Sequence, residues 1–285
     1  MGLSGGLLLP STMRLLPGWF EAAEYDRAMG IYGSGQGVGL FITLISIPTV
    51  VSMYSWRTGL ALVSTLTLLA AALSLALLRD KERAVSNPLA SISLRDLKEV
   101  VTGKLLLLTS FNTTSVSMFT GVLTWMPLFL LKELDFTLIE VGYATAVMGA
   151  AMIVASYASG PLSCRIGRAR VILVSMALCV ATPLLFVYSS SSLEIFVISV
   201  LLGLAIMLYF GPTLGAIPEA VKAEYVGMGF GISNTLTFIG SSITSAATGF
   251  ALEFTRSFHV AFLMISLISL LGLFGSLKFL FSKKD

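Results

Sequence analysis

Residues 23–39 read AEYDRAMGIYGSGQGVG, and five of the last ten positions are glycine. A glycine-rich loop that cradles a phosphate needs a strand before it, a helix after it and a fixed spacing. The spacing is absent. Three residues after Gly35 stands Val38, three after Gly37 stands Leu40, and no Gly-Lys-Ser or Gly-Lys-Thr follows. On a helix at about 100° per residue, Gly30, Gly33 and Gly37 share one face, and Gly35 and Gly39 share roughly the opposite one. Small residues on two faces let a helix approach neighbours closely on both sides, which is how helices pack inside a bilayer. The five glycines are read as packing positions.

The surroundings of this stretch agree. Of 285 residues, 56% are hydrophobic and 12% charged, with a mean hydropathy of +0.92. A soluble domain carries about a quarter charged residues, so the lipid bilayer is the expected surrounding. A net charge of +3 is too small to argue for a nucleic-acid partner. Cys164 and Cys179 lack paired spacing, which gives no disulfide framework, metal site or cofactor to expect. The first basic residue is Arg14, so no basic leader of a cleavable signal is evident.

Charged residues divide the chain into runs free of Asp, Glu, Lys and Arg: 28–56, 58–78, 105–131, 141–164, 171–193, 195–218, 225–252 and 257–277. Each exceeds the roughly 20 residues that a helix needs to cross a bilayer, where barrel strands would be half as long. Residues 2–20 form one more apolar stretch, broken only by Arg14. The expectation is an all-α polytopic membrane protein with nine transmembrane helices.

Basic residues orient the bundle. Of 18 Lys and Arg, fourteen lie in alternate connections and the C-terminal tail: Arg27; Arg79, Lys81, Arg83, Arg95, Lys98 and Lys104; Arg165, Arg168 and Arg170; Lys222; Lys278, Lys283 and Lys284. Only Arg57, Lys132 and Arg256 lie in the others. The bias puts the first set and the C-terminus in the cytoplasm, and a plasma (inner) membrane is the expected location. Residues 79–104 form the one long connection, between a three-helix segment (1–78) and a six-helix bundle (105–285). Within it, Ser93 and Asp96 resemble a helix start, with Leu94, Leu97 and Val101 on one face. A short interfacial helix and a disordered loop both fit.

The opening stretch recurs about 200 residues later as AEYVGMGFGISN, residues 223–234. Pro10-Ser11 and Pro17 precede the first copy, and Pro212-Thr213 and Pro218 the second. Parallel repeats split by a long cytoplasmic linker are one way in which secondary transporters are built. With residues 160–170, GPLSCRIGRAR, the sequence resembles the major facilitator superfamily along its whole length. Gly160, Leu162, Arg165, Gly167, Arg168 and Arg170 fall on that family's cytoplasmic motif of Gly, Leu, Asp, Arg, Gly, then Arg or Lys. Cys164 stands where the motif usually has aspartate. Residues 19–30, Trp56-Arg57 and TWMPLFLLKELDF at 124–136 resemble further turns and helix ends of the family, in the same order. The resemblance implies helices four to twelve of a twelve-helix fold, without the first three-helix unit.

It also implies roles. The motif would act as a cytoplasmic gate, its arginines meeting Glu24, Asp26, Glu219 or Glu224, with ordinary positive-inside charge as the bland reading. In the family the seventh helix lines the central cavity, so Thr113, Ser117, Thr120 and Thr124, on one face beside Asn112, are candidates for a polar wall. They suit interhelical hydrogen bonding equally. Tyr209, Asn234 and Gln36 are weaker candidates. Arg14 is either a substrate-facing cation or an anchor that snorkels to the interface near Trp19.

Among function classes, transport of a small solute by alternating access leads, with a slight lean to an organic anion. A membrane-embedded enzyme lacks support: the single histidine is His259, and neither His-Glu-x-x-His nor Gly-x-Ser-x-Gly occurs. A third reading is a non-transporting remnant, or a chain dependent on a partner that supplies the missing helices. No Asp or Glu falls well inside an apolar run, which leaves the coupling ion and direction undetermined.

Overall fold

A computed structural model describes residues 19–21, 24–77 and 94–281. In chain order its helices are α1 (Tyr25–Met53), α2 (Trp56–Leu77), α3 (Leu94–Val100), α4 (Gly103–Glu133), α5 (Leu138–Ile166), α6 (Arg168–Tyr188), α7 (Ser192–Met207), α8 (Phe210–Leu214), α9 (Val226–Thr255) and α10 (Phe258–Phe281). With α7 and α8 counted as one crossing, eight spans long and apolar enough to cross a membrane stand among the described residues. The expected ninth, with Arg14, lies outside them. The short helix expected in the connection is α3; Ser93 lies outside the described residues.

The helix limits follow from local chemistry. Thr102 caps α4 by accepting from Leu105 N at 3.1 Å. Thr137 and Glu140 form a reciprocal cap at the start of α5, as Ser191 and Glu194 do for α7. The two acids that the apolar runs leave at these ends are therefore helix-start residues. Between α5 and α6 stands Gly167 alone, at φ +90°, a conformation that glycine adopts without penalty. Both copies of the Ala-Glu-Tyr stretch open a long helix: Tyr25 begins α1, and a 3₁₀ turn at Ala223–Tyr225 leads into α9. Helices α1, α4, α5 and α6 each contain one proline, Pro48, Pro127, Pro161 and Pro183, as membrane helices more often do than soluble ones.

Helices α4 to α10 build one bundle. Its interior holds Phe111, Met118, Met176, Cys179 and Ile265, and at the end far from α3 a ring cluster of Phe129, Phe186, Phe258 and Phe262, with centroids 5.3–6.3 Å apart. Leu68, Leu75, Phe254, Leu271 and Phe274 point outward as a lipid-facing belt. Helix α2 buries only Gly59, and Arg57 stacks over Trp56 at 4.5 Å, an arrangement suited to a membrane interface.

Helix α1 lies along α5 for nearly its whole length. A methyl group on Gly30 would stand 2.5 Å from the Ser156 carbonyl oxygen, and one on Gly37 2.8 Å from Ile153 N. At Gly33 it would collide with the Ser156 hydroxyl. From the other side, Gly149 meets Phe41, and Gly142 meets Pro48. Ser156 Oγ donates to Gly30 O at 2.8 Å across this contact. Gly35 and Gly39 point away from α5, and a methyl group on either would meet no described residue within 4 Å.

The two glycine faces give an internal control. Gly37→Ala is expected to lower the stability of the purified protein by about 1–3 kcal/mol through overpacking against Ile153. Gly35→Ala should be neutral or slightly stabilising, as alanine is the better helix former. Thermal unfolding in detergent separates the two, and an equal loss at both positions would contradict the packing.

Candidate functional site

Asp26, on the first turn of α1, is 4% exposed although it is charged. Arg168, the first residue of α6, donates from Nε to Asp26 Oδ2 at 2.8 Å and from Nη2 to Oδ1 at 2.9 Å. Its third nitrogen, Nη1, donates to Glu219 Oε1 at 2.6 Å. The Ser163 hydroxyl adds a bond to Asp26 Oδ2 at 2.7 Å. Planar guanidinium fits the carboxylate in two places at once, which lysine cannot do. Arg168 thus ties the start of α1 to the α4–α10 bundle.

Glycine makes room for the carboxylate. A methyl on Gly160 would stand 2.6 Å from Arg27 Cα, and one on Gly211 2.8 Å from the Asp26 carbonyl oxygen. At Gly215 it would strike Asp26 Oδ1. Of the motif residues expected to gate, Gly160 is this contact, Gly167 is the turn that presents Arg168, and Leu162 packs half-buried against the core. Arg165, Arg170 and Cys164 are exposed. Among the described residues, Arg170 reaches only the Ile166 carbonyl, at 3.4 Å. The substitution of cysteine for the motif's aspartate therefore leaves the Arg168 pairing intact, since Asp26 supplies the charge from another helix.

A second polar group lies deeper. Asn112 Nδ2 donates to Thr237 Oγ1 at 3.0 Å, and Tyr209 OH donates to Asn112 Oδ1 at 2.7 Å. The Thr113 and Thr237 hydroxyls are 3.4 Å apart, those of Thr120 and Ser241 3.2 Å. Trp125 Nε1 donates to Thr248 at 3.2 Å. Ser117 is buried, Thr124 is exposed and bonds the Thr120 carbonyl at 2.6 Å, and Asn234 is 6% exposed on α9. The stripe on α4 thus faces α9 and knits the two helices together. Sequence reasoning missed Ser163 and the Gly211–Gly215 pair. A Gly-x-x-x-Gly spacing beside a proline was their one signal.

Facing the same end, α3 docks on the segment before α9. Lys222 donates to Glu99 at 2.6 Å, which raises the Lys222 pKa, and Thr102 Oγ1 donates to Ala220 O at 3.0 Å. Lys104 Nζ stands 3.6 Å from Glu219 Oε2.

A bundle of long apolar helices with intercalated glycine contacts and an arginine–carboxylate cluster at one end defines the class as a polytopic α-helical membrane protein. The chain matches the Major Facilitator Superfamily over residues 1–245 and, overlapping, 105–284, and belongs to that family. It is 20% identical over 313 residues to the probable galactarate/D-glucarate transporter GarP of Escherichia coli K12, covering 96% of this chain and 69% of the relative. It is 27% identical over 161 residues to the uncharacterized MFS-type transporter YvkA of Bacillus subtilis 168, covering 55% of this chain and 35% of the relative.

Removing one partner of a buried ion pair strands the other, at about 3–5 kcal/mol when fully buried. Asp26→Asn is expected to lose a good part of that, because it leaves Arg168 facing an amide. Glu219→Gln should lose under about 1 kcal/mol, since Glu219 is 40% exposed. Unfolding of the two purified variants checks the order, and a larger loss at Glu219 would contradict it.

Proposed function

We propose that this chain is a secondary transporter in which the first helices rock against the α4–α10 bundle, and the Asp26–Arg168–Glu219 cluster locks the cytoplasmic end. The bidentate bond between Asp26 and Arg168 carries this reading. It joins the two sides of the molecule at the end where Gly160, Gly211 and Gly215 let their backbones approach, so it is placed to hold that end closed. The excess of basic residues on the α3 side supports the cytoplasmic assignment. An arrangement of this kind moves a solute without altering it, and no enzymatic role is proposed.

For the solute we propose a small polyhydroxylated carboxylate. GarP is named for galactarate and D-glucarate, which are of this class. Thr113, Thr120 and Thr124, half-buried or exposed on α4, offer neutral donors and acceptors for hydroxyl groups, with Asn112, Tyr209 and Asn234 buried behind them. Arg14, outside the described residues, offers the one cation within an apolar run for a carboxylate.

Proteoliposomes containing the chain should take up labelled D-glucarate saturably, with galactarate competing. Asp26→Asn should slow uptake by roughly tenfold or more, as about 1.4 kcal/mol corresponds to each factor of ten. Uptake no faster than in empty liposomes removes the solute assignment. Saturable uptake that Asp26→Asn leaves unchanged removes the lock.

A further inference from the structure

Most hydroxyls on these helices bond back to a carbonyl three or four residues earlier, as Thr120, Thr124, Thr145 and Thr244 do. Others bond a neighbouring helix, as Ser156, Ser175 and Ser266 do. Four buried hydroxyls have no partner among the described residues: that of Ser199, fully buried on α7, and three others. Those three are Thr109 on α4, 4% exposed, Thr213 on α8, fully buried, and Ser233 on α9, 1% exposed.

The three share one level of the bundle. Thr109 lies four residues before Thr113, and Ser233 four before Thr237, so both sit about 6 Å nearer the α3 end than the bonded Thr113–Thr237 pair. Helices α4 and α9 run in the same direction, which sets Thr109 opposite Ser233. The chain through α7 and α8 runs the other way, so Thr213, four residues after Tyr209, is displaced toward the same end. Gly211 and Gly215 face Ser159 and Asp26, and Thr213, two residues from each, faces the opposite way into the bundle. Tyr209, one turn away on that face, reaches Asn112.

We infer that Thr109, Thr213 and Ser233 line an internal binding site for water, one turn on the α3 side of the Asn112–Tyr209–Thr237 knot. Buried polar groups are paired with protein or with ordered water, and a buried water needs two to four polar partners. Each hydroxyl both donates and accepts, which suits water. The runs 105–131, 195–218 and 225–252 contain no charged side chain, so an inorganic cation would find no countercharge there. The site belongs to the interior of the α4–α10 bundle and stands independently of the transport reading.

The test uses the full chain in lipid nanodiscs. Thr109→Val and Ser233→Ala should each lower Tm by roughly 3 °C. The double variant should lose little more than either single one, because the water leaves once. A high-resolution map of the unsubstituted protein should show density within hydrogen-bond reach of at least two of the three hydroxyls. Variants that match or exceed the parent's Tm would overturn the inference, as would a map in which the hydroxyls bond their own helix carbonyls. A sodium-dependent rise in Tm, absent with choline and abolished by Thr109→Val, would overturn it in favour of an ion.

Discussion

Everything at the α3 end depends on how closely the backbones of α1 and α5 approach. Where side chains would hold helices apart, Gly30, Gly33 and Gly37 meet Ser156 and Ile153, and Gly160 meets Arg27. This proximity buries Asp26 and gives Ser163 and Arg168 their reach to it. Membrane helices gain little from hiding apolar surface, because lipid is as apolar as leucine. Close van der Waals contact and a few well-placed polar bonds supply the adhesion instead.

Much of this was legible in the sequence, for physical reasons that differ by residue. Charge-free runs of 21 or more residues mark spans because the hydrocarbon core permits few alternatives. Gly30, Gly33 and Gly37 were readable as a packing face from helical spacing alone. Arg168 and its partners Asp26 and Glu219 were readable as a set of charges near one membrane face. Which arginine of the three engages was not: that depends on the Gly167 turn, a backbone conformation that spacing does not reveal. That no described residue packs on Gly35 and Gly39 was hidden for a related reason, since periodicity defines faces without saying which has a neighbour.

The hydroxyl stripe shows the same limit. Thr113, Ser117, Thr120 and Thr124 recur at helical spacing, which places them together but does not say whether they face a cavity or a helix. Thr237 and Ser241 on α9 answer part of it by bonding Thr113 and Thr120. Asn112 and Tyr209 form a buried pair whose members lie 97 positions apart in sequence, beyond any local pattern.

The single-residue joint at Gly167 has a mechanical meaning. A long loop would let Arg168 follow Asp26 through small displacements, swapping chain slack for retained contact. One residue between two helices stores no slack. Arg168 is carried by the ends of α5 and α6 as on a bracket, so a tilt of that corner relative to α1 would reach its bonds with only the arginine side chain to absorb it.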